Sequence, residues 1–351
     1  MSGDTLASSG IKISAIRWGQ HKGEELVLFK IENKAGAYVE LTNYGASVVS
    51  IVVPDKHNEP GNVVLGFPGP EGYVEDSCYI GATVGRFANR IAGASFMLDG
   101  ISWQLDKNEY CHSNHGGKNG FNSKVFKFRI SEDSVYFNLK SNDGDGGYPG
   151  NLDFTVRYQW TDNCELLISY SAFTDKLTVA NFTNHSYFNL SGRNTKISNH
   201  ELTVYSQRIL ELGLDYIPTG RVVPTGALAL DGRKIKEKLQ KRGSTFLGVN
   251  HYYILDPSTD GHLQLAAKLS EEESGRILRV YTTYPGLMVY TGDFLKSRVA
   301  GHLHRAYEPF DGLCLECQYY PDSPNHPAFP STALKPGQLY NHQILFTFSL
   351  V

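Results

Sequence analysis

No run of apolar residues in this chain approaches the roughly 20 needed to cross a bilayer as a helix. Charge of one sign is also missing: 33 Lys and Arg stand against 36 Asp and Glu, a formal net charge of −3. That balance supplies no long-range pull toward phosphate backbones or anionic lipid, so neither nucleic acid nor a membrane is an expected partner. The one dense basic stretch, Arg233-Lys234-Ile235-Lys236-Glu237-Lys238 followed by Lys241-Arg242, reads as a short amphipathic helix with its charges in water.

Cysteine is sparse, with five in 351 residues. A small odd number argues against a disulfide framework and for reduced thiols. Met1-Ser2-Gly3-Asp4 has no basic stretch leading into an apolar one, so the expected location is cytoplasmic. Cys314 and Cys317 form a CxxC. Three residues apart on a strand they would face opposite ways, and no second CxxC completes a zinc site, so both read as ordinary buried cysteines and no metal is expected. Asn-x-Ser/Thr sequons begin at Asn181, Asn184 and Asn189 and would stay unmodified in the cytosol. Also lacking are a Gly-x-Ser-x-Gly elbow, a P-loop, a GxGxxG and an HExxH, which removes support for serine-nucleophile, nucleotide-binding and zinc-protease readings. No Pro/Ser-rich linker or charge block marks a boundary, so residues 1–351 read as one domain, and no fixed-period repeat suggests a propeller or β-helix.

What the chain does have is period-two alternation. Glu25 to Ile31, Val125 to Ile130, Leu152 to Tyr158 and Ile344 to Ser349 alternate apolar and polar residues and are rich in β-branched and aromatic side chains. Asp99-Gly100 between two such segments is a strong hairpin signal, and Glu132-Asp133 and Asp162-Asn163 predict two more. Helical periodicity is confined to Arg233–Arg242 and a turn or two within Gly69–Ser77. Many short strands with Gly-rich connections predict an all-β antiparallel sandwich or barrel. The 21 tyrosines suit such sheets and would also suit a site that stacks on sugar rings.

Chemistry is concentrated in a few clusters. In Asn184-His185-Ser186-Tyr187-Phe188-Asn189 an extended chain would put His185, Tyr187 and Asn189 on one face. Such a histidine can hold or release a proton near neutral pH, or be a core histidine satisfied by local hydrogen bonds. Gly85 to Ile91 carries Asn89 and Arg90, the latter able either to donate a fork of hydrogen bonds to vicinal hydroxyls or to pin a loop by a buried salt bridge. His115 precedes Gly116-Gly117, whose bare backbone could admit a ligand or form a flexible loop. Asp143 to Gly150 lacks the closing glutamate of a calcium loop and reads as a tight inter-strand turn. In Leu313-Cys314-Leu315-Glu316-Cys317-Gln318-Tyr319, Glu316 falls on the face opposite Leu313, Leu315, Cys317 and Tyr319. It is either a solvent-facing strand position or a carboxylate whose pKa is raised by burial. His185 and Glu316, brought together, would make an acid/base pair.

These segments carry a resemblance. Asn43-Tyr44-Gly45-Ala46, Asn62 to Phe67, Gly85 to Ile91, His115-Gly116-Gly117, Gly147 to Gly150, Thr183 to Leu190, Tyr290-Thr291-Gly292 and Leu315-Glu316 through Pro321-Asp322 match, in order, the galactose mutarotase (aldose 1-epimerase) family. The chain resembles that family nearly end to end. The resemblance implies a large antiparallel β-sandwich of the supersandwich type, a monosaccharide cleft, a monomer, and no metal or organic cofactor. It also implies an isomerase that interconverts α and β anomers of a hexose, galactose or glucose, with Glu316 as general base and His185 as general acid. Asn89, Arg90, His115 and Tyr187 would bind the sugar. Two positions depart from the family pattern: Asn250 where an aspartate is usual, and Tyr284 where a glutamine is common. Both are expected at ring hydroxyls, and both bear on sugar preference. The competing reading is a catalytically silent sugar-binding protein; a lyase or hydrolase on the same scaffold is a third.

Overall fold

A computed structural model describes residues 10–242, 245–256 and 261–351; the Met1 to Asp4 segment lies outside them. The alternating segments are strands, and they pair antiparallel with their neighbours. Nine of them form one sheet in the order Lys127–Ser131, Ser134–Ser141, Leu152–Trp160, Glu165–Thr174, Tyr340–Leu350, Arg276–Thr282, Gln264–Ser270, Glu201–Val204 and Asp231–Lys234. A second sheet of six strands runs Tyr187–Phe188, Leu313–Cys317, Gly286–Tyr290, Asn250–Ile254, Arg208–Leu212 and Pro218–Pro224. A third, of five strands, meanders from Lys12–His21 to Pro60–Asn62.

One continuous apolar core joins all three sheets. It takes Phe29 and Ile51 from the meander, Phe137, Val156 and Phe346 from the nine-stranded sheet, and Leu287, Val289, Leu313, Leu315 and Cys317 from the six-stranded one. Each such side chain contributes about 1.5–3 kcal/mol by leaving water. The sheets stay open, giving the expected sandwich rather than a barrel. Because successive side chains alternate faces, the six-stranded sheet that buries Leu313, Leu315 and Cys317 must turn Cys314 and Glu316 the other way. Glu316 pairs with Met288, and Tyr290 pairs with both Cys314 and Asn250, so one register assembles the polar face.

Turn chemistry behaves as the residues predict. Asp99 and Gly100 both have positive φ, 51° and 75°, and join the hairpin in which Leu98 pairs with Ile101. Hairpins likewise turn at Glu132-Asp133 and Asp162-Asn163, and Asp143 to Gly150 lies in the connection between two paired strands. The expected helical turn is Pro70–Val74. The basic stretch is different: Arg233–Arg242 is not a helix. Asp231–Lys234 pairs with Glu201–Val204, Ile235–Glu237 is a single 3-10 turn, and Gln240–Arg242 pairs with Thr245–Leu247. The edge strand supplies backbone partners, Ile235 anchors the turn in the main core, and Asp231 collects both Arg233 and Lys238. Those tertiary contacts outweigh a weak helical periodicity. Among the described residues no helix is long and apolar enough to cross a membrane.

Candidate active site

A cleft of about 630 Å³ opens over the polar face of the six-stranded sheet. Glu316, His185, His115, Asn89, Arg90, Tyr187 and Asn250 all line it. Seven of the eight residues singled out from the sequence therefore converge, although they come from five separate stretches of chain.

Glu316 sits inside the strand Leu313–Cys317 and is 2% exposed. Burial pushes its carboxyl up to about 8, against the pull of the nearby Arg90 guanidinium. Of the two alternatives left by the sequence, the structure has the buried carboxylate. Its Oε2 is buried without a hydrogen-bond partner, and its Oε1 lies 3.7 Å from His185 Nε2.

His185 occupies a break between the two-residue strands Thr183–Asn184 and Tyr187–Phe188. Asn184 makes that break: its Oδ1 accepts from the Ser186 N–H at 3.2 Å and the Ser186 hydroxyl at 2.6 Å, while its amide donates to Gly81 O. The His185 N–H donates to Ala82 O, and its own carbonyl accepts from Gly81. The backbone is thus held on both sides. Burial lowers the imidazole to about 4, keeping it neutral near pH 7. Tyr187 also lines the cleft, its hydroxyl donating to Cys78 O at 3.1 Å. Asn189 does not share their surroundings. Its amide donates to Thr195 O and Asp311 O, fixing the turn that follows, because the break at 185–186 interrupts the extended alternation.

His115 and Asn89 are tied to each other. The Asn89 N–H donates to His115 Nδ1 at 3.3 Å and the His115 N–H donates to Asn89 O at 3.1 Å. Neutral His115 therefore carries its ring proton on Nε2. Burial, then His185 and Arg90, hold its pKa well below the ordinary value. Both residues have positive φ, 66° and 51°. Gly116 serves this backbone rather than a ligand: a Cβ there would lie 2.0 Å from Gly85 O. Of the two roles open to Arg90, the structure shows the salt bridge. Its Nη2 donates to Glu109 Oε1 at 2.7 Å and its Nε pairs with Oε2 at 2.6 Å, while the side chain still faces the cleft.

Tyr284 is the correction. It is fully buried in the main core, its hydroxyl 2.9 Å from that of Tyr340 and its ring stacked on His342 at 4.3 Å. Tyr284 follows Thr282, whose Oγ1 accepts its N–H, and its ring is turned into the space between the sheets. Tyr284→Phe is accordingly expected to leave turnover and KM unchanged and to lower unfolding free energy by about 1 kcal/mol, the worth of one neutral hydrogen bond. Denaturant melts beside kinetics check this; a KM change of severalfold would put the residue back at the sugar.

Several lining residues have no local signal. The Tyr79 ring lies 4.6 Å from that of His115 and 5.8 Å from that of His185. The Asp76 carboxylate brings it there by accepting from the Cys78 and Ile80 N–H groups, an Asx-type turn whose aspartate was the available clue. Met288 and Tyr290 are placed by long-range strand pairing, while Glu109 sits in a local bridge with His112 and the Phe294 N–H donates to the Tyr290 hydroxyl. Cys314 and Cys317 take opposite faces as the spacing predicts, both as buried free thiols. The sequon residues Asn181, Asn184 and Asn189 are buried and hydrogen-bonded.

Among the described residues, His115, His185 and Glu316 alone offer ligand atoms close enough for a shared ion, within 4.8 Å of one another. The Arg90 charge bears on both His115 and Glu316 and opposes a divalent cation in that space. The three groups are better suited to moving protons on a neutral polar molecule.

Comparison with known proteins bears on the family and the fold. The aldose 1-epimerase family model matches residues 27–347. The chain is 39% identical to galactose mutarotase of Homo sapiens over 315 residues, 89% of this chain and 91% of that one. It is 34% identical to aldose 1-epimerase of Escherichia coli strain K12 over 341 residues, 93% of this chain and 96% of that one. A solved aldose epimerase homologue from C. elegans superimposes with a TM-score of 0.87 at 30% identity, covering 92% of this chain and 99% of its own. The family model over most of the chain, the identity to these relatives and the shared sandwich identify the chain as an isomerase belonging to the aldose 1-epimerase family.

Proposed function

We propose that the protein interconverts the α and β anomers of an aldohexose, galactose or glucose, with Glu316 and His185 exchanging protons with the sugar. The observation that carries this reading is the 3.7 Å approach of His185 Nε2 to Glu316 Oε1 on the cleft wall. Opposed shifts support it: burial favours the protonated carboxyl and the neutral imidazole, so the pair holds one proton near neutral pH.

The cycle needs only that proton. A sugar whose C1 hydroxyl donates to Glu316 and whose ring oxygen accepts from His185 Nε2 favours the carboxylate–imidazolium arrangement of the pair. Glu316 then takes the C1 hydroxyl proton, the bond from C1 to the ring oxygen breaks with its electrons going to that oxygen, and His185 protonates it. The open aldehyde turns about C1–C2. His185 withdraws the proton, the oxygen attacks the other face of C1, and Glu316 returns its proton to O1. Ring opening leaves a protonated Glu316 and a neutral His185, the state that burial already favours. Asn89, Arg90, His115 and Tyr187 orient the ring. The Arg90–Glu109 pair holds the guanidinium in place before the sugar arrives.

Polarimetry on freshly dissolved α-D-galactose and α-D-glucose tests the reading. The wild-type protein should speed equilibration of at least one. Saturable binding with no acceleration of either sugar would instead make it a binding protein. Asn250 offers an uncharged amide to the cleft. Asn250→Asp replaces a neutral hydrogen bond with a charge-assisted one, a gain of about 1–2 kcal/mol and so about a fivefold to thirtyfold change in KM or sugar preference. No movement in either would mean that this position does not touch the substrate.

A further inference from the structure

Cys314 lies on the same face of the same strand as Glu316, two residues away. Its Sγ is 3.5 Å from His185 Nδ1, and its pairing with Tyr187 keeps it there. The strand thus brackets the imidazole: Cys314 meets Nδ1 at one end and Glu316 meets Nε2 at the other. Among the described residues no other side chain bonds His185 Nδ1; the rings of Tyr187 and His115 stand at 5.1 and 5.2 Å without reaching it. Burial pushes the Cys314 thiol well up, so it stays a thiol, with sulfur lone pairs available and no charge to trap an imidazolium.

We propose that Cys314 is a positioning residue for His185, its sulfur accepting the Nδ1–H and so leaving the Nε2 lone pair turned toward Glu316 and the sugar's ring oxygen. The inference rests on the proton-transfer reading of His185 above. Neutral imidazole keeps one ring proton, and the hydrogen bond made by one nitrogen decides which nitrogen carries it. After His185 has given a proton from Nε2, only the Nδ1–H tautomer can take it back at that nitrogen. A carboxylate at position 314 would hold the same tautomer but stabilise the charged ring. A thiol steers the tautomer with little effect on basicity, which suits a group that must both give and receive.

The test compares wild type with Cys314→Ala and Cys314→Ser, whose voids are nearly alike while only serine can accept a hydrogen bond. Nitrogen-15 NMR of labelled histidine, with His185 assigned through His185→Asn, reads the tautomer directly. Wild type should carry the proton on Nδ1. Cys314→Ala should move it toward Nε2 and lower kcat by about three- to tenfold, the worth of one weak hydrogen bond, with KM held within about twofold. Cys314→Ser should restore both. An unchanged tautomer in Cys314→Ala overturns the proposal, as does an equal loss of kcat in the two variants, which would mark a packing role. Wild-type turnover in His185→Asn would defeat the acid assignment instead, and would leave the tautomer measurement standing.

Discussion

Glu316→Gln is expected to lower the rate of anomer exchange by about 10²- to 10⁴-fold, the usual worth of a positioned proton-transfer group. The amide keeps the shape of the side chain and removes the exchangeable proton. NMR exchange on equilibrated galactose or glucose measures the rate, and a wild-type rate would refute the assignment. The same substitution should stabilise the fold at alkaline pH. Burial raises the Glu316 carboxyl from the ordinary 4.5 to about 8. A folded pKa above the unfolded one means that the stability contribution is fully present below about 4.5 and is lost as pH rises through about 8. Each pH unit in that window is about 1.4 kcal/mol, so wild type gives up on the order of a few kcal/mol that glutamine does not. Melting temperatures of the two proteins should nearly coincide at about pH 4 and separate toward about pH 9, with the variant higher. On the proposed mechanism function opposes stability, since the carboxylate that takes the proton is held where ionising it is costly.

His185→Asn should produce a loss of similar size, about 10²- to 10⁴-fold, since asparagine can accept from a hydroxyl but cannot deliver a proton to the ring oxygen. Its pH dependence distinguishes this from a binding defect. The proposed working state is one proton shared by two groups, placed by burial at about 4 for the imidazole and about 8 for the carboxyl. Below the first value both groups are protonated and neither can accept; above the second neither can donate. Wild-type turnover, corrected for the spontaneous reaction, should therefore be level between those limits and fall on both sides, the limbs belonging to the pair rather than to either residue. In His185→Asn, where Glu316 must act as base alone with its carboxyl raised to about 8, the residual rate should lose the alkaline fall and rise with pH through about 8. A variant with a raised KM, an unchanged kcat and both limbs intact would show that His185 binds the sugar without moving protons.

Much of this site could be read from local pattern. Period-two alternation placed Glu316 opposite Leu313, Leu315 and Cys317, and the register of the six-stranded sheet bears this out. His185 and Tyr187 share the cleft, as an extended segment suggested, although a turn held by Asn184 and Ser186 lies beneath them. Reading the same extension two residues further misplaced Asn189, because one irregular step ends the alternation. Tyr284 failed for a related reason: a position beyond a strand end follows the backbone that leaves it, and here that backbone turns the ring into the core. The basic stretch Arg233–Arg242 failed because three-residue spacing of charges is weak information beside an open strand edge and a buried Ile235.

By itself the sequence determined an antiparallel all-β chain, the positions of its hairpins, the polar faces around His185 and Glu316, and membership of a recognisable family. Those properties depend on side-chain alternation and turn chemistry, which act over a few residues and are written in them. Only the tertiary structure decided that His185 Nε2 meets Glu316 Oε1, that Cys314 stands behind the same ring, that Arg90 is braced by Glu109, and that Tyr284 is out of reach of a sugar. Each of these depends on strand register and burial between segments far apart in the chain. The depth that moves both pKa values belongs to the packed sheets and to neither residue alone.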